Sequence, residues 1–196
     1  MSDTMPPPFA GSLLIGASGS VAVAFLPMFV SALRGQFHGT VTVIMTHTAT
    51  TFLPASTMGL FADKVVTGND ASTWARENHA SLAAEHDLFV VLPATANVLS
   101  AAATGAAPNM LTATIIAATA PVVFFPVMSA EMWAKPAIQR NVAQLREDGH
   151  DVIEPSVGPR YDVALGSFVQ SPTPPSPPQF IETVRKHLEA NTADSQ

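Results

Sequence analysis

Cysteine is absent from this 196-residue chain. That excludes disulfides, thiolate metal sites, cysteine nucleophiles and iron–sulfur clusters. Charge is scarce as well. Asp, Glu, Lys and Arg make up 12% of the residues, and nine basic against fifteen acidic side chains leave a net charge of −6. Such a balance carries no electrostatic footprint for nucleic acid. A membrane span needs about 20 mostly apolar residues. The longest apolar tract, residues 111–128, is broken by Thr112, Thr114, Thr119, Pro121 and Pro126. The first basic residue is Arg34, so no charged region precedes the apolar residues 13–15 as it would in a secretory signal. The expected setting is the cytoplasm, away from membranes. The six histidines are scattered, and no pair shares a helix face with a carboxylate, so no metal site is expected. No serine sits in a nucleophile-elbow pattern.

What remains is apolar: 47% hydrophobic residues and a mean hydropathy of +0.28. A chain of this length can bury roughly 70% of its unfolded surface in one domain. So little charge on so much surface predicts burial against further copies of the chain, a homo-oligomer.

Apolar runs at residues 12–15, 40–45, 88–92, 122–125 and 151–154 read as buried strands. Residues 21–33, 48–52, 73–85, 98–104 and 137–148 read as helices between them, the first kinked or ended early near Pro27. This alternation predicts an α/β fold: a Rossmann-like (flavodoxin-like) parallel sheet with helices on both faces. Residues 1–10, with Pro6, Pro7 and Pro8, read as a flexible tail, and residues 11–155 as the α/β body. Residues 156–178 read as a Pro-rich extended surface loop, and 179–196 as a terminal helix and tail. The Pro-rich stretch is either a strap for the last helix or a flap over a site.

Ligands of such sheets bind beyond the carboxyl ends of the strands. The first such turn, Gly16-Ala17-Ser18-Gly19-Ser20, is built of small residues that let backbone N–H groups approach a phosphate, with Ser18 and Ser20 as hydroxyl donors. It is neither a dinucleotide fingerprint nor a P-loop, and tight packing explains it equally. Thr46 closes the second strand as a further donor or as a helix N-cap. Thr95 and Asn97 follow the strand at 88–92 in the same arrangement. Three neutral hydroxyl or amide turns suit a phosphorylated, largely uncharged cofactor such as flavin mononucleotide (FMN). Among the histidines, His79 lies in a segment leading to this edge; His47 and His86 read as helix-end or surface residues, and His38, His150 and His187 as exposed.

Longer motifs now carry a resemblance. Pro93-Ala94-Thr95-Ala96-Asn97-Val98 is similar to the PASANT motif of the flavin-containing cysteine decarboxylases, and residues 126–133 (Pro-Val-Met-Ser-Ala-Glu-Met-Trp) to their PxMNxxMW motif. Pro108-Asn109-Met110-Leu111 resembles their DNLL segment, and His79 falls where that family keeps its active-site histidine. The family includes the epidermin-type peptidyl-cysteine decarboxylases and the phosphopantothenoylcysteine decarboxylases, and the likeness covers residues 13–155.

The resemblance implies bound FMN, and trimers that often assemble into dodecamers. It assigns cofactor contacts to Gly16, Ser18, Ser20, Thr46, Phe52, Pro93, Ala94, Thr95, Ala96, Asn97 and Met132, and substrate contacts to Asn109, Met128, Ser129, Ala164, Leu165 and Gly166. His79 becomes the catalytic proton acceptor. Leu165 stands where the phosphopantothenoylcysteine branch has a redox cysteine, so the reaction is expected to stop at the enethiol. That points to a precursor peptide with a C-terminal cysteine as substrate, to an aminovinyl-cysteine ring as the destination, and to other peptide-modifying enzymes as partners. Residues 164–175 become the peptide clamp. Oxidation of the Cβ–S unit to a thioaldehyde would create an electron sink two bonds from the carboxylate, and loss of carbon dioxide would follow. Ser129 departs from the family's Asn. A phosphopantothenoylcysteine decarboxylase-like enzyme, a non-catalytic FMN-binding regulator and a flavin prenyltransferase remain as alternatives.

Overall fold

A computed structural model describes residues 7–68 and 77–194. Six strands, β1 (Ser12–Ala17), β2 (Thr40–Met45), β3 (Lys64–Val66), β4 (Leu88–Ala94), β5 (Val122–Pro126) and β6 (Asp151–Val152), form one parallel sheet in the order 3-2-1-4-5-6. The central strands are mostly apolar and, past their first residues, buried along their length, as strands covered on both faces must be. The order reverses between β1 and β4, which opens a crevice beyond their carboxyl ends.

On one face lie a 3-10 turn (Val21–Phe25), α1 (Leu26–Arg34), α2 (His47–Phe52), α3 (Ala55–Met58) and α9 (Pro177–Asp194), packed through Phe29, Leu33, Met58, Phe180 and Val184. On the other lie α4 (His79–Ala84), α5 (Ala96–Ala103), α6 (Met110–Ala117) and α8 (Pro136–Glu147), packed through Leu82, Leu99, Leu111 and Leu145; the short α7 (Ala130–Trp133) adds Trp133 to their edge. The expected doubly covered α/β architecture is therefore the one observed. Each fully buried Leu, Val or Phe contributes about 1.5–3 kcal/mol. Exposed ion pairs such as Arg146–Glu154 (2.8 Å) contribute about 0–1 kcal/mol each, so the two apolar layers hold the fold. Gly16 shows how tightly. A Cβ there would collide with Leu111, so the missing side chain lets α6 lie directly on β1.

Several local expectations are corrected. Pro27 opens α1 rather than breaking a helix, because a first-turn N–H needs no partner. β3 and α6 were not anticipated. β3 has only three residues, and α6 hides in the apolar tract 111–128, where a nearly uniform apolar character leaves no amphipathic period. The helix expected over 73–85 is seen from His79, and residues 73–76 lie outside the described set. Within the supposed tail, residues 7–10 are anchored: Phe9 donates its N–H to Gln36 O at 3.0 Å and stacks under the Arg185 guanidinium, 4.2 Å away.

The Pro-rich stretch is not a loop. β7 (Ser156–Asp162) and β8 (Ser167–Thr173) form an antiparallel hairpin, and α9 already begins at Pro177. Pro159 and Pro172 sit in pairs of the same alternation class, opposite Gln170 and Val157. A two-stranded ribbon accepts proline wherever the backbone N–H would point away from its partner. Among the described residues no helix is long and apolar enough to cross a membrane.

Two histidines expected to be exposed are bonded and half-buried. His187 bridges Thr183 O (2.8 Å) and the Asp151 carboxylate (3.0 Å). His150 Nδ1 accepts the Val122 N–H at 3.2 Å, with its ring edge-on to Phe124. That nitrogen must be unprotonated, and burial pushes the His150 pKa below the ordinary 6.5. Burial acts in the same direction on His86. Both groups take up a proton more readily in the unfolded chain. Their contribution is complete above about pH 6.5 and is lost as pH falls toward the folded-state values. The melting temperature is expected to fall between about pH 7.5 and 5. His150→Asn, which keeps an acceptor but does not titrate, should flatten that slope; an unchanged slope in thermal denaturation would refute the assignment.

Candidate active site

The carboxyl ends of β1 to β5 and the amino ends of α2, α4, α5, α6 and α7 gather on one edge of the sheet. Ser18, 1% exposed, locks two of these turns together. Its hydroxyl donates to Pro93 O at 2.7 Å, accepts the Thr95 N–H at 3.1 Å and lies 3.0 Å from the Thr95 hydroxyl. Its own N–H donates to Pro93 O at 3.3 Å. Expected as a ligand donor, Ser18 has its hydroxyl turned inward and fully engaged. Gly16 is likewise a strand residue buried under α6, not a turn residue. Ser20 accepts the Ala22 N–H at 3.3 Å and starts the 3-10 turn. Gly19 approaches Thr48 so closely that a Cβ would collide with it, which draws the first turn onto the start of α2.

The polar candidates share a local logic: most begin a helix. Thr46 caps α2 by accepting the Ala49 N–H at 3.2 Å. Asn109 caps α6, its Oδ1 accepting the Thr112 N–H at 3.1 Å and the Thr112 hydroxyl at 3.3 Å. That leaves the exposed Asn109 Nδ2 as the free end of the amide. Ser129 caps α7 by accepting the Met132 N–H at 3.3 Å. Its hydroxyl, then the Glu131 backbone N–H, hold the Glu131 carboxyl below the usual range. Thr95 stands at the start of α5 without a side-chain cap bond. Ala96 is half-buried and Asn97 exposed in the first turn that follows.

His79 is the first residue of α4. Asn78 fixes that start by accepting the Ala80 and Ser81 N–H groups, both at 3.0 Å. α4 packs beside α6, and each runs back toward the start of the strand it precedes. Their amino ends therefore face the same edge, with His79 and Asn109 both exposed there.

Two cavities open there. One of about 230 Å³ is lined by Thr46, His47, Thr67, Gly68, Pro108 and Asn109. The other, of about 410 Å³, lies between Asn97 and Asn109. His47, Thr67, Gly68 and Pro108 were not among the sequence candidates. His47 directly follows Thr46, and that adjacency was the one available signal. Thr67 and Gly68 follow the unanticipated β3.

Beyond β5, Met128 is half-buried against the second core layer, while Met132 is exposed, as is Phe52 at the end of α2. The hairpin lies against α7: Arg160 draws the Glu131 pKa down and Asp162 raises it. Ala164, Leu165 and Gly166 form the hairpin tip, where Asp162 Oδ1 accepts the Ala164 and Leu165 N–H groups at 3.0 and 3.1 Å and Gly166 takes a φ of +62°. Those backbone bonds, led by Leu165, keep the Asp162 carboxyl ionised below the usual range.

The sequence matches the flavoprotein family over residues 10–172. It is also 35% identical over 155 residues to mersacidin decarboxylase of Bacillus sp. (strain HIL-Y85/54728), covering 79% of each chain. The chain belongs to the flavoprotein family. Among solved structures, this flavoprotein superposes on the FMN-dependent cysteine decarboxylase SpaF with a TM-score of 0.74 at 33% identity, over 92% of this chain and 97% of that one. It superposes on the peptidyl-cysteine decarboxylase EpiD with a TM-score of 0.78 at 25% identity, over 92% and 98%.

The turns suit FMN in chemistry: hydroxyls, amides and backbone N–H groups, with no Lys or Arg in the turns at 16–20, 46–48, 93–97 or 127–129. They fit it in shape only as an open ledge. The cavity of about 230 Å³ is below the roughly 300–1,000 Å³ of a cofactor-sized pocket, and the one of about 410 Å³ runs along α5 and the start of α6, touching only Asn97 of these turns. The flavin would therefore lie across the edge, beside the exposed Val21, Phe25 and Phe52.

Proposed function

We propose that this flavoprotein is a cytoplasmic FMN-dependent enzyme that oxidatively decarboxylates the C-terminal cysteine of a precursor peptide. The observation that supports the reading is the placement of His79 and Asn109 at the amino ends of neighbouring helices, on one edge of a fold shared with cysteine decarboxylases. Ser20, Thr46, Phe52, Pro93, Ala94, Thr95, Ala96, Asn97 and Met132 contact the cofactor. Gly16 and Ser18 act beneath them, holding the turns in place.

Bound FMN supplies a two-electron sink for oxidation of the Cβ–S unit. His79 accepts the proton released at the reacting thiol or Cβ, a task suited to an imidazole at neutral pH. Asn109 offers Nδ2 to the substrate carboxylate, since its Oδ1 is held by Thr112. Met128 and Ser129 wall the reacting end. The hairpin tip, Ala164 to Gly166, folds over the peptide as a clamp. Carbon dioxide and two hydrogens leave, and the enethiol product passes to ring formation by another modifying enzyme.

The open ledge and the exposed Val21, Phe25, Met28 and Leu60 support self-association that covers the flavin, in a trimer or in a dodecamer built of four trimers. The test is direct. Purified protein should be yellow and should remove about 46 mass units, carbon dioxide plus two hydrogens, from peptides ending in cysteine. A colourless protein that cannot be reconstituted with FMN, or a yellow one inert toward every such peptide, would overturn the reading.

A further inference from the structure

A cavity of about 220 Å³ opens at the root of the hairpin, its wall reaching Pro126 at the carboxyl end of β5. Its floor is apolar: Phe125, Ile153, Pro155 and Pro175. Its rim carries Glu154 and Glu182. Glu154 already pairs with Arg146 at 2.8 Å. Glu182 makes no ion pair among the described residues, and its neighbour Arg185 is turned to Pro7 O, Gln36 and the Phe9 ring. Of the two rim carboxylates, only that of Glu182 is thus left without an ion pair among the described residues.

The volume suits one side chain, not a cofactor, which wants roughly 300–1,000 Å³. An apolar floor below an acidic rim matches a long aliphatic stem ending in a cation, the shape of lysine or arginine. The place matters equally. Ser156 and Thr173, the first and last paired residues of the hairpin, form part of the wall. The reacting end lies toward the other end of the ribbon, where Arg160 and Asp162 act on Glu131 beside Ser129. Ser129 is only three residues from Pro126 of the cavity wall, at most about 11 Å at roughly 3.6 Å per residue.

From this placement we propose that the cavity is a specificity subsite for a basic side chain of the peptide substrate, a few residues before the terminal cysteine. The inference rests on the reading of the hairpin as a peptide clamp. Its occupant is chosen by charge complementarity: an anionic rim on a chain of net charge −6 selects a cation and repels an acidic residue at the same position.

The test uses the FMN-loaded protein and a series of ten-residue peptides ending in cysteine, each otherwise Gly, Ser and Ala, with one lysine moved from one to nine positions upstream. The isosteric norleucine peptide isolates the charge. A partly exposed ion pair yields up to about fivefold in affinity. KM should therefore be about threefold to fivefold lower for lysine than for norleucine at one position a few residues upstream of the cysteine, and flat elsewhere. Glu182→Gln should bring that ratio to about one, and Glu182→Lys should invert it in favour of a glutamate peptide. Equal KM values at every position in the unaltered protein would overturn the subsite. So would a lysine preference untouched by both Glu182 variants. If no peptide is decarboxylated, the reading of function falls, and the subsite is judged by binding of the same fluorescein-labelled peptides. A Glu182-dependent lysine preference in Kd upholds it, and its absence ends it.

Discussion

Replacing His79 with Asn is expected to lower the decarboxylation rate of a C-terminal-cysteine peptide by about 10²–10⁴-fold, the usual worth of a positioned acid–base group. The flavin should remain bound and the fold intact. The side chain is exposed at the start of α4, so its loss removes no core contact. The helix start is set by Asn78 and Ser81 in a reciprocal cap, which does not involve the imidazole. A uniform rise in KM with unchanged kcat would show that His79 only binds substrate. Loss of yellow colour with activity would show that it holds the cofactor, and either result would remove it from the catalytic role. Asn78→Ala is the informative companion. It frees two helix N–H groups, costs about 1 kcal/mol, and should reduce activity partially by letting His79 drift.

Ser18→Ala is expected to be the most damaging single-atom change among the turns. Removing the buried hydroxyl takes the donor from Pro93 O and the acceptor from the Thr95 N–H at once. Buried groups left unpaired cost about 1–3 kcal/mol, which corresponds to a fall in melting temperature of about 3–10 °C for a chain of this size. The functional effect should be larger than the loss of one contact. The bond ties the turn after β1 to the turn after β4, and both flank the ledge. FMN dissociation measured by fluorescence should become at least about tenfold tighter in the native protein than in Ser18→Ala. Ser20→Ala removes a single 3.3 Å bond at a half-buried site and should stay within about 1 kcal/mol. Equal flavin affinity in Ser18→Ala and the native protein would contradict the coupling of the two turns.

The sequence made the sheet legible because its central strands are continuous apolar runs and its helices have clear faces. It also located the edge: Thr46, Thr95, Asn97, Asn109 and Ser129 all follow strands or open helices, and the structure gathers them. Their small polar side chains have two uses with one spelling. A Ser, Thr or Asn after a strand can cap the next helix or face a ligand, and only coordinates separate the two. Thus Ser18 proved to be a brace and Gly16 a packing gap filled by Leu111. The hairpin was hidden for a different reason. Proline is read as a breaker, yet Pro159 and Pro172 occupy alternating positions of a two-stranded ribbon, where half the backbone N–H groups have no partner to lose. His47 and Gly68 escaped notice because the cavity they line needs β3, a strand of three residues.

The hairpin forms a sheet of its own, hydrogen-bonded to none of the six core strands. It is joined to the body by its two ends and by its contact with α7. With the hairpin as the proposed peptide clamp, chemistry and choice of substrate would be separable in inheritance. The core that places the histidine and the flavin can stay fixed while the ribbon lengthens, shortens or changes its exposed face of Val157, Tyr161 and Phe168. A lineage built on this plan can move to a new peptide by rewriting eighteen contiguous residues, 156–173, with the reaction centre untouched.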